Sequence, residues 1–122
     1  MAFANMVTAL PHVRAKRLIA LGVTSLKRSP SLPDVPAVAE SVPGFEATSW
    51  WGIVGPRAMR GSVVESLNRQ IVKALTGADM KSFMAGLGAE AHGTTPQQLD
   101  AFIRSELAKW SKVVKESGAR AE

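Results

Sequence analysis

The period of apolar and polar positions changes along the chain, and each change marks an element. Met6, Val7, Leu10 and Val13 stand at near-helical spacing and predict a short helix within Ala4 to Arg14, interrupted at Pro11. Leu18 to Thr24 is apolar on both faces, the pattern of a central strand covered on each side. Pro30, Pro33, Pro36 and Pro43 then forbid a long regular element between Ser29 and Gly44. They predict an ordered loop with at most one helical turn near Ala37 to Glu40. Phe45 to Val54 returns to strand character through Thr48, Trp50, Trp51 and Ile53, with Gly52 marking a bulge or a close backbone approach.

The second half is helical. Ser62-Val-Val-Glu65 has the form of a capping box, and Val64, Leu67, Ile71 and Leu75 follow on one face as far as Gly77. A short helix carries Met80, Phe83, Met84 and Leu87, with Gly88 after it, and Ala89 to Gly93 is long enough for a short strand. Thr95-Pro-Gln-Gln98 is a second capping box with proline at the favoured first position. It opens a long helix with Leu99, Phe102, Ile103, Glu106, Leu107, Trp110, Val113 and Val114, which Gly118 ends. Strands and helices in this order predict an α/β protein.

Composition narrows the function. With 122 residues, 20% charged and 46% hydrophobic, the chain reads as one globular domain able to bury roughly two-thirds of its unfolded surface. Zero cysteines exclude disulfides, thiolate metal sites and cysteine nucleophiles. The net charge of +5 comes from scattered residues, with Arg14, Lys16 and Arg17 as the densest run, and no aromatics alternate with them. A solvated surface accounts for this better than a nucleic-acid footprint. No apolar run reaches the ~18 residues of a membrane span. Met1 to Leu10 lacks the basic, apolar and small-residue succession of a signal peptide.

Nothing assembles a catalytic constellation. His12 and His92 are eighty residues apart without cysteine partners, no Gly-x-Ser-x-Gly elbow occurs, and Gly86-Leu-Gly88 is not a phosphate loop. Asp34, Glu40 and Glu46 fall in or beside the proline-rich loop, where they are expected to be solvated. No enzyme, cofactor or metal is expected. Trp50 and Trp51, adjacent in a strand, would point to opposite faces between layers, and Trp110 belongs to an apolar stripe.

Several stretches together resemble the tripartite tricarboxylate transporter (Bug, TctC-like) solute receptors, over nearly the whole chain and in their C-terminal part. They are Phe3-Ala-Asn5 with Ala9-Leu-Pro-His-Val-Arg14, Ile19-Ala-Leu-Gly-Val-Thr-Ser25, Arg28 to Glu40, Pro43-Gly-Phe-Glu-Ala-Thr-Ser-Trp-Trp-Gly52, Leu67-Asn68, Ile71 to Leu75, Gly88-Ala-Glu90, Thr95-Pro96 and Trp110-Ser-Lys-Val-Val114. The proline-rich block with its Pro-Gly-Phe-Glu is the most specific of them. Two positions depart from the family pattern. Ala4 stands where members often carry an acidic residue near the ligand, and Lys16 where a glycine usually allows a positive φ.

The resemblance implies part of a type II periplasmic-binding-protein fold, with a short, mostly parallel sheet flanked by helices and a long C-terminal helix. Residues 1–56, including the loop at 29–44, would be second-domain-like, and 57–122 a helical return segment. It implies a receptor for small organic carboxylates, held by main-chain amides and small polar side chains and handed to membrane transporter subunits. Phe3, Ala4, Asn5, Thr24 and Ser25 are the ligand-binding residues it implies. The alternative is a shortened homologue that binds no solute and acts as an oligomerising module. In either case a homodimer or higher oligomer is expected, because apolar surface on the crossover strand and long helix would lie open. The resemblance implies the periplasm; a frame this short, without an export signal, implies the cytoplasm.

Overall fold

A computed structural model of the protein describes residues 1–119. Its elements are α1 (Met6–Arg14), a single 3-10 turn (Val38–Glu40), α2 (Gly61–Thr76), α3 (Ala78–Gly86) and α4 (Pro96–Ser117). They form two compact units, Met1–Trp51 with Leu75–His92, and Gly52–Ala74 with Gly93–Glu122.

The first unit is organised around α1. Asn5 caps this helix, its Oδ1 accepting from the Val7 amide at 3.1 Å. The helix runs through Pro11 instead of breaking there, although the ring removes one amide donor. What holds it is good closure at both ends. The Ala9 amide and the Thr8 hydroxyl donate to the Asn5 carbonyl, and the Ala15 amide donates to that of Pro11. Past the last turn, the Lys16 amide reaches Val13 O and the Arg17 amide reaches His12 O, both at 2.9 Å. This left-handed stop usually takes glycine, and here Lys16 occupies it at φ 56°. After α3, Gly88 makes the same stop at φ 76°, its amide donating to Ala85 O and the Ala89 amide to Met84 O.

The Gly88 turn lies against α1. A β-carbon there would come within 2.7 Å of Met6 Cγ and 2.9 Å of Leu10 Cδ2. Leu10, 1% exposed, is the most completely buried side chain described, and Val23 and Ala37 are the other buried apolar ones. Arg14 adds a long bond from Nη1 to Gly86 O at 3.4 Å.

The expected sheet is not formed among the described residues. One parallel bridge joins Val23 to Ala37, through Val23 N–H to Pro36 O and Val38 N–H to Val23 O, both 2.9 Å. It cannot lengthen along its partner. Pro33 and Pro36 offer no amide, and the 3-10 turn begins at Val38. Phe45 to Val54 forms no regular element, and its Ala47 N–H donates to Thr24 O at 3.0 Å. The short strand expected at Ala89 to Gly93 is irregular chain. The predicted turn near Ala37 to Glu40 does form.

In the second unit the Thr95 capping box is present as predicted. Gln98 N–H donates to Thr95 Oγ1 at 3.1 Å, and Thr95 N–H donates to Gln98 Oε1 at 2.9 Å. Gly118 ends α4 at φ 68°. The box predicted at Ser62 is not used. Helix α2 already starts at Gly61, and the Arg60 carbonyl accepts from Val63 and Val64, so Ser62 lies inside the helix. The start of α4 is tied to α2 by Asn68 Nδ2 donating to Thr94 O at 2.8 Å.

This unit has no buried apolar side chain among its described residues; its buried side chain is Glu106 of α4. That carboxylate accepts from Trp110 Nε1 at 2.9 Å and pairs with Lys109, whose ammonium also lies 5.4 Å from the Trp110 ring centroid. The accessible area explains the contrast with expectation. The chain exposes 9913 Å², whereas a compact monomer of its mass exposes about 6,300 Å², so it buries about half of its unfolded surface and not two-thirds. Trp50 and Trp51, expected between layers, are 41% and 67% exposed.

Candidate functional site

All five residues singled out as ligand-binding, Phe3, Ala4, Asn5, Thr24 and Ser25, lie in the first unit. Phe3 and Ala4 are exposed just before α1, and Asn5 forms its cap. The Asn5 oxygen is committed to the Val7 amide, which leaves the amide nitrogen of its side chain as the donor it can offer. Thr24 and Ser25 follow the bridged Val23. The Thr24 carbonyl accepts from Ala47, and the Ser25 hydroxyl donates to Lys27 O at 2.8 Å, so both are held by the turn that leaves the extended segment.

Of the two basic residues that follow this turn, Lys27 is exposed and Arg28 is engaged elsewhere. Arg28 forms a fork with Glu40, Nε to Oε1 at 2.7 Å and Nη2 to Oε2 at 2.8 Å, and its Nη1 reaches Pro33 O at 3.4 Å. Glu40 Oε1 also accepts from the Ala37 amide at 2.9 Å. The Arg28 hydrogen bonds, then the Ala37 amide, lower the Glu40 pKa to about 2. The same bonds and the Glu40 charge raise that of Arg28. Glu40 is therefore not the freely solvated carboxylate expected from its loop. It clamps the two ends of the proline-rich segment, and Arg28 is occupied by this contact. Twelve residues separate the pair, so no local spacing rule reveals it.

The remaining ionisable groups do not converge. His92 Nε2 lies 3.1 Å from Glu90 Oε2 on an exposed turn. Among the described residues there is no group of three or more His, Cys, Asp or Glu able to hold a metal ion, and no helix long and apolar enough to cross a membrane. The Ser25 hydroxyl hydrogen goes to Lys27 O, and the Val7 and Thr8 amides go to Asn5, which leaves, of these groups, the side-chain nitrogen of Asn5 as the donor that suits an anion.

Comparison with known proteins places the chain in a family of receptors. Residues 1–119 match the model of the tripartite tricarboxylate transporter family receptor. A Pseudomonas UPF0065 protein from a tcbD-tcbE intergenic region is 42% identical over 107 residues, 86% of this chain and 32% of that protein. Protein BugT of Bordetella pertussis is 36% identical over 117 residues, 95% of this chain and 36% of its own length. Among solved structures, R. palustris Rpa4515 with adipate superposes with a TM-score of 0.84 at 33% identity, covering 93% of this chain and 38% of that one. The periplasmic binding protein BugD follows at a TM-score of 0.81 and 30% identity, over 93% and 39%. The chain thus has part of a periplasmic-binding-protein fold and spans about a third of the length of these relatives.

Proposed function

The chain belongs to the tripartite tricarboxylate transporter receptor family, and on that premise we propose that it forms part of a periplasmic receptor for small organic carboxylates. The observation that carries this reading is the superposition of 93% of the chain on R. palustris Rpa4515 with adipate, at 33% identity. The ligand-facing residues in this proposal are Phe3, Ala4 and Asn5 before α1, and Thr24 and Ser25 after the bridge. Main-chain amides and small polar side chains do the binding in this proposal, and Arg28 is held by Glu40. Membrane transporter subunits are the partners that would receive the acid. The role is binding and delivery, not catalysis.

A thermal-shift screen against mono-, di- and tricarboxylates, beginning with adipate, tests it. An acid at about a hundred times its Kd stabilises by roughly 2.7 kcal/mol, several degrees in a domain of this size. Asn5→Asp is the diagnostic variant. Aspartate caps a helix as well as asparagine does, so α1 survives, but the carboxylate repels an anionic ligand. The expected result is a folded protein whose response to acids is lost. An unchanged response would remove Asn5 from the site.

A second reading, an oligomerising module that binds no solute, is favoured by the uncovered apolar surface of the second unit. An absence of thermal response to every acid would select it.

A further inference from the structure

The loop at residues 24–27 holds two of the proposed ligand-facing residues, and both of its ends are fastened to one short segment, residues 36–40. Before the loop, Val23 is bridged to that segment: its amide donates to Pro36 O, and its carbonyl accepts from the Val38 amide, both at 2.9 Å. After the loop, Arg28 grips Glu40, with Nε to Oε1 at 2.7 Å and Nη2 to Oε2 at 2.8 Å. The receiving segment is braced by its own bonds. The Glu40 amide donates to Ala37 O to close the 3-10 turn, and Glu40 Oε1 accepts from the Ala37 amide, each at 2.9 Å. One carboxylate therefore closes the turn and holds the returning arginine.

We propose that Arg28 and Glu40 are positioning residues of the carboxylate site, their fork holding the loop at residues 24–27 in the shape that receives an acid. The proposal rests on the receptor reading and adds to it the pair that shapes its second half. Within the loop, the Ser25 hydroxyl donates to Lys27 O at 2.8 Å and Thr24 O accepts from the Ala47 amide at 3.0 Å. The main-chain amides of Thr24, Ser25 and Leu26 meet no acceptor among the described residues, so they are the donors this loop can offer an anion. Fastened at one end alone, the loop would have to be ordered by the ligand, and that entropy would be subtracted from affinity. Fastened at both ends, it is ordered in advance. The fork is partly exposed, 47% for Arg28 and 44% for Glu40, so its loss is expected to show in acid affinity more than in global stability.

Adipate titrations of the full chain, followed through its backbone amide resonances, test this in the parent and in Glu40→Gln. Glutamine keeps an oxygen for the Ala37 amide and gives up the charged fork. Charge and positioning then predict opposite signs. The variant removes a negative charge and frees Arg28, so charge alone would tighten the binding of an anion. Loss of positioning weakens it, and an increase in Kd of about three- to tenfold is expected, because the loop is in its competent shape for a smaller fraction of the time. The adipate-induced shifts at residues 23–26 should shrink while those at residues 3–8 persist. Arg28→Met should weaken binding as well, and adding Glu40→Gln to it should change the Kd by less than about twofold, since the fork is already gone. A parent that binds adipate, with Glu40→Gln binding it equally or more tightly, would overturn the clamp and leave the receptor reading standing. Equal loss of shifts at residues 3–8 and 23–26 would also overturn it, in favour of a general structural effect. A parent that responds to neither adipate nor other di- and tricarboxylates would overturn both.

Discussion

In the first unit α1 and the turn after α3 meet at Leu10, Val23 and Ala37 are buried at their bridge, and backbone stops at Lys16 and Gly88 lock the chain where it reverses. In the second unit α2 and α4 are drawn from equally clear amphipathic patterns, with a complete capping box, yet no apolar side chain described there is buried. The two regions do not differ in the quality of their helices. They differ in whether an apolar side chain is buried, as Leu10 of α1 is under the Gly88 turn. Periodicity states which face seeks cover; only the fold, or a partner, supplies it.

Four measurements sharpen or break that comparison. The largest effect is expected from Gly88→Ala. It places a side chain in the left-handed region, at about 1–2 kcal/mol, and drives its β-carbon into Met6 and buried Leu10, at about 1–3 kcal/mol. Urea unfolding should show a loss of about 2–5 kcal/mol, and a loss below about 1 kcal/mol would mean that the α1 contact does not hold the unit together. Lys16→Gly acts on the matching stop of α1 with opposite sign. Relief of the φ 56° strain less the added chain entropy of glycine should stabilise by about 0.5–1 kcal/mol. Leu107→Ala, in the open half of α4, should change stability by less than about 0.5 kcal/mol at sub-micromolar protein. A cost above 2 kcal/mol there would show that the monomer buries this stripe.

The smallest effect is the acid dependence of the Arg28–Glu40 clamp. Glu40 titrates at about 2 when folded and near 4.5 when unfolded, so the unfolded chain holds the extra proton between those values. The clamp's contribution is complete above pH 4.5 and fades as the pH falls toward 2. Glu40→Gln should flatten this part of the stability–pH curve relative to the parent, and an identical slope in both would place the acid sensitivity elsewhere.

What could be read from sequence was mostly local. Thr95 with Gln98, Gly118 and the single turn among the prolines depend on residues at most four apart, and each is in place. The family was legible from the proline-rich block and its Pro-Gly-Phe-Glu continuation, and the comparisons bear it out. Three readings failed for physical reasons. Pro11 did not break α1, because caps at both ends and the buried Leu10 hold the helix around the missing donor. Ser62 did not cap α2, because the Arg60 carbonyl starts the helix first. Leu18 to Thr24 has the composition of a central strand, but its neighbour offers prolines where a ladder needs amides. The Arg28–Glu40 fork joins residues twelve apart through a loop, a distance no periodic rule covers.

The central claim is that the first unit carries a carboxylate site built from dipoles. Titrating adipate into isotopically labelled protein and following the backbone amide resonances tests it most directly. The account predicts saturable shifts grouped at residues 3–8 and 23–26, absent in Asn5→Asp, with α4 unmoved. Shifts confined to α2 and α4, or none at millimolar adipate and at the same concentrations of other di- and tricarboxylates, would contradict it.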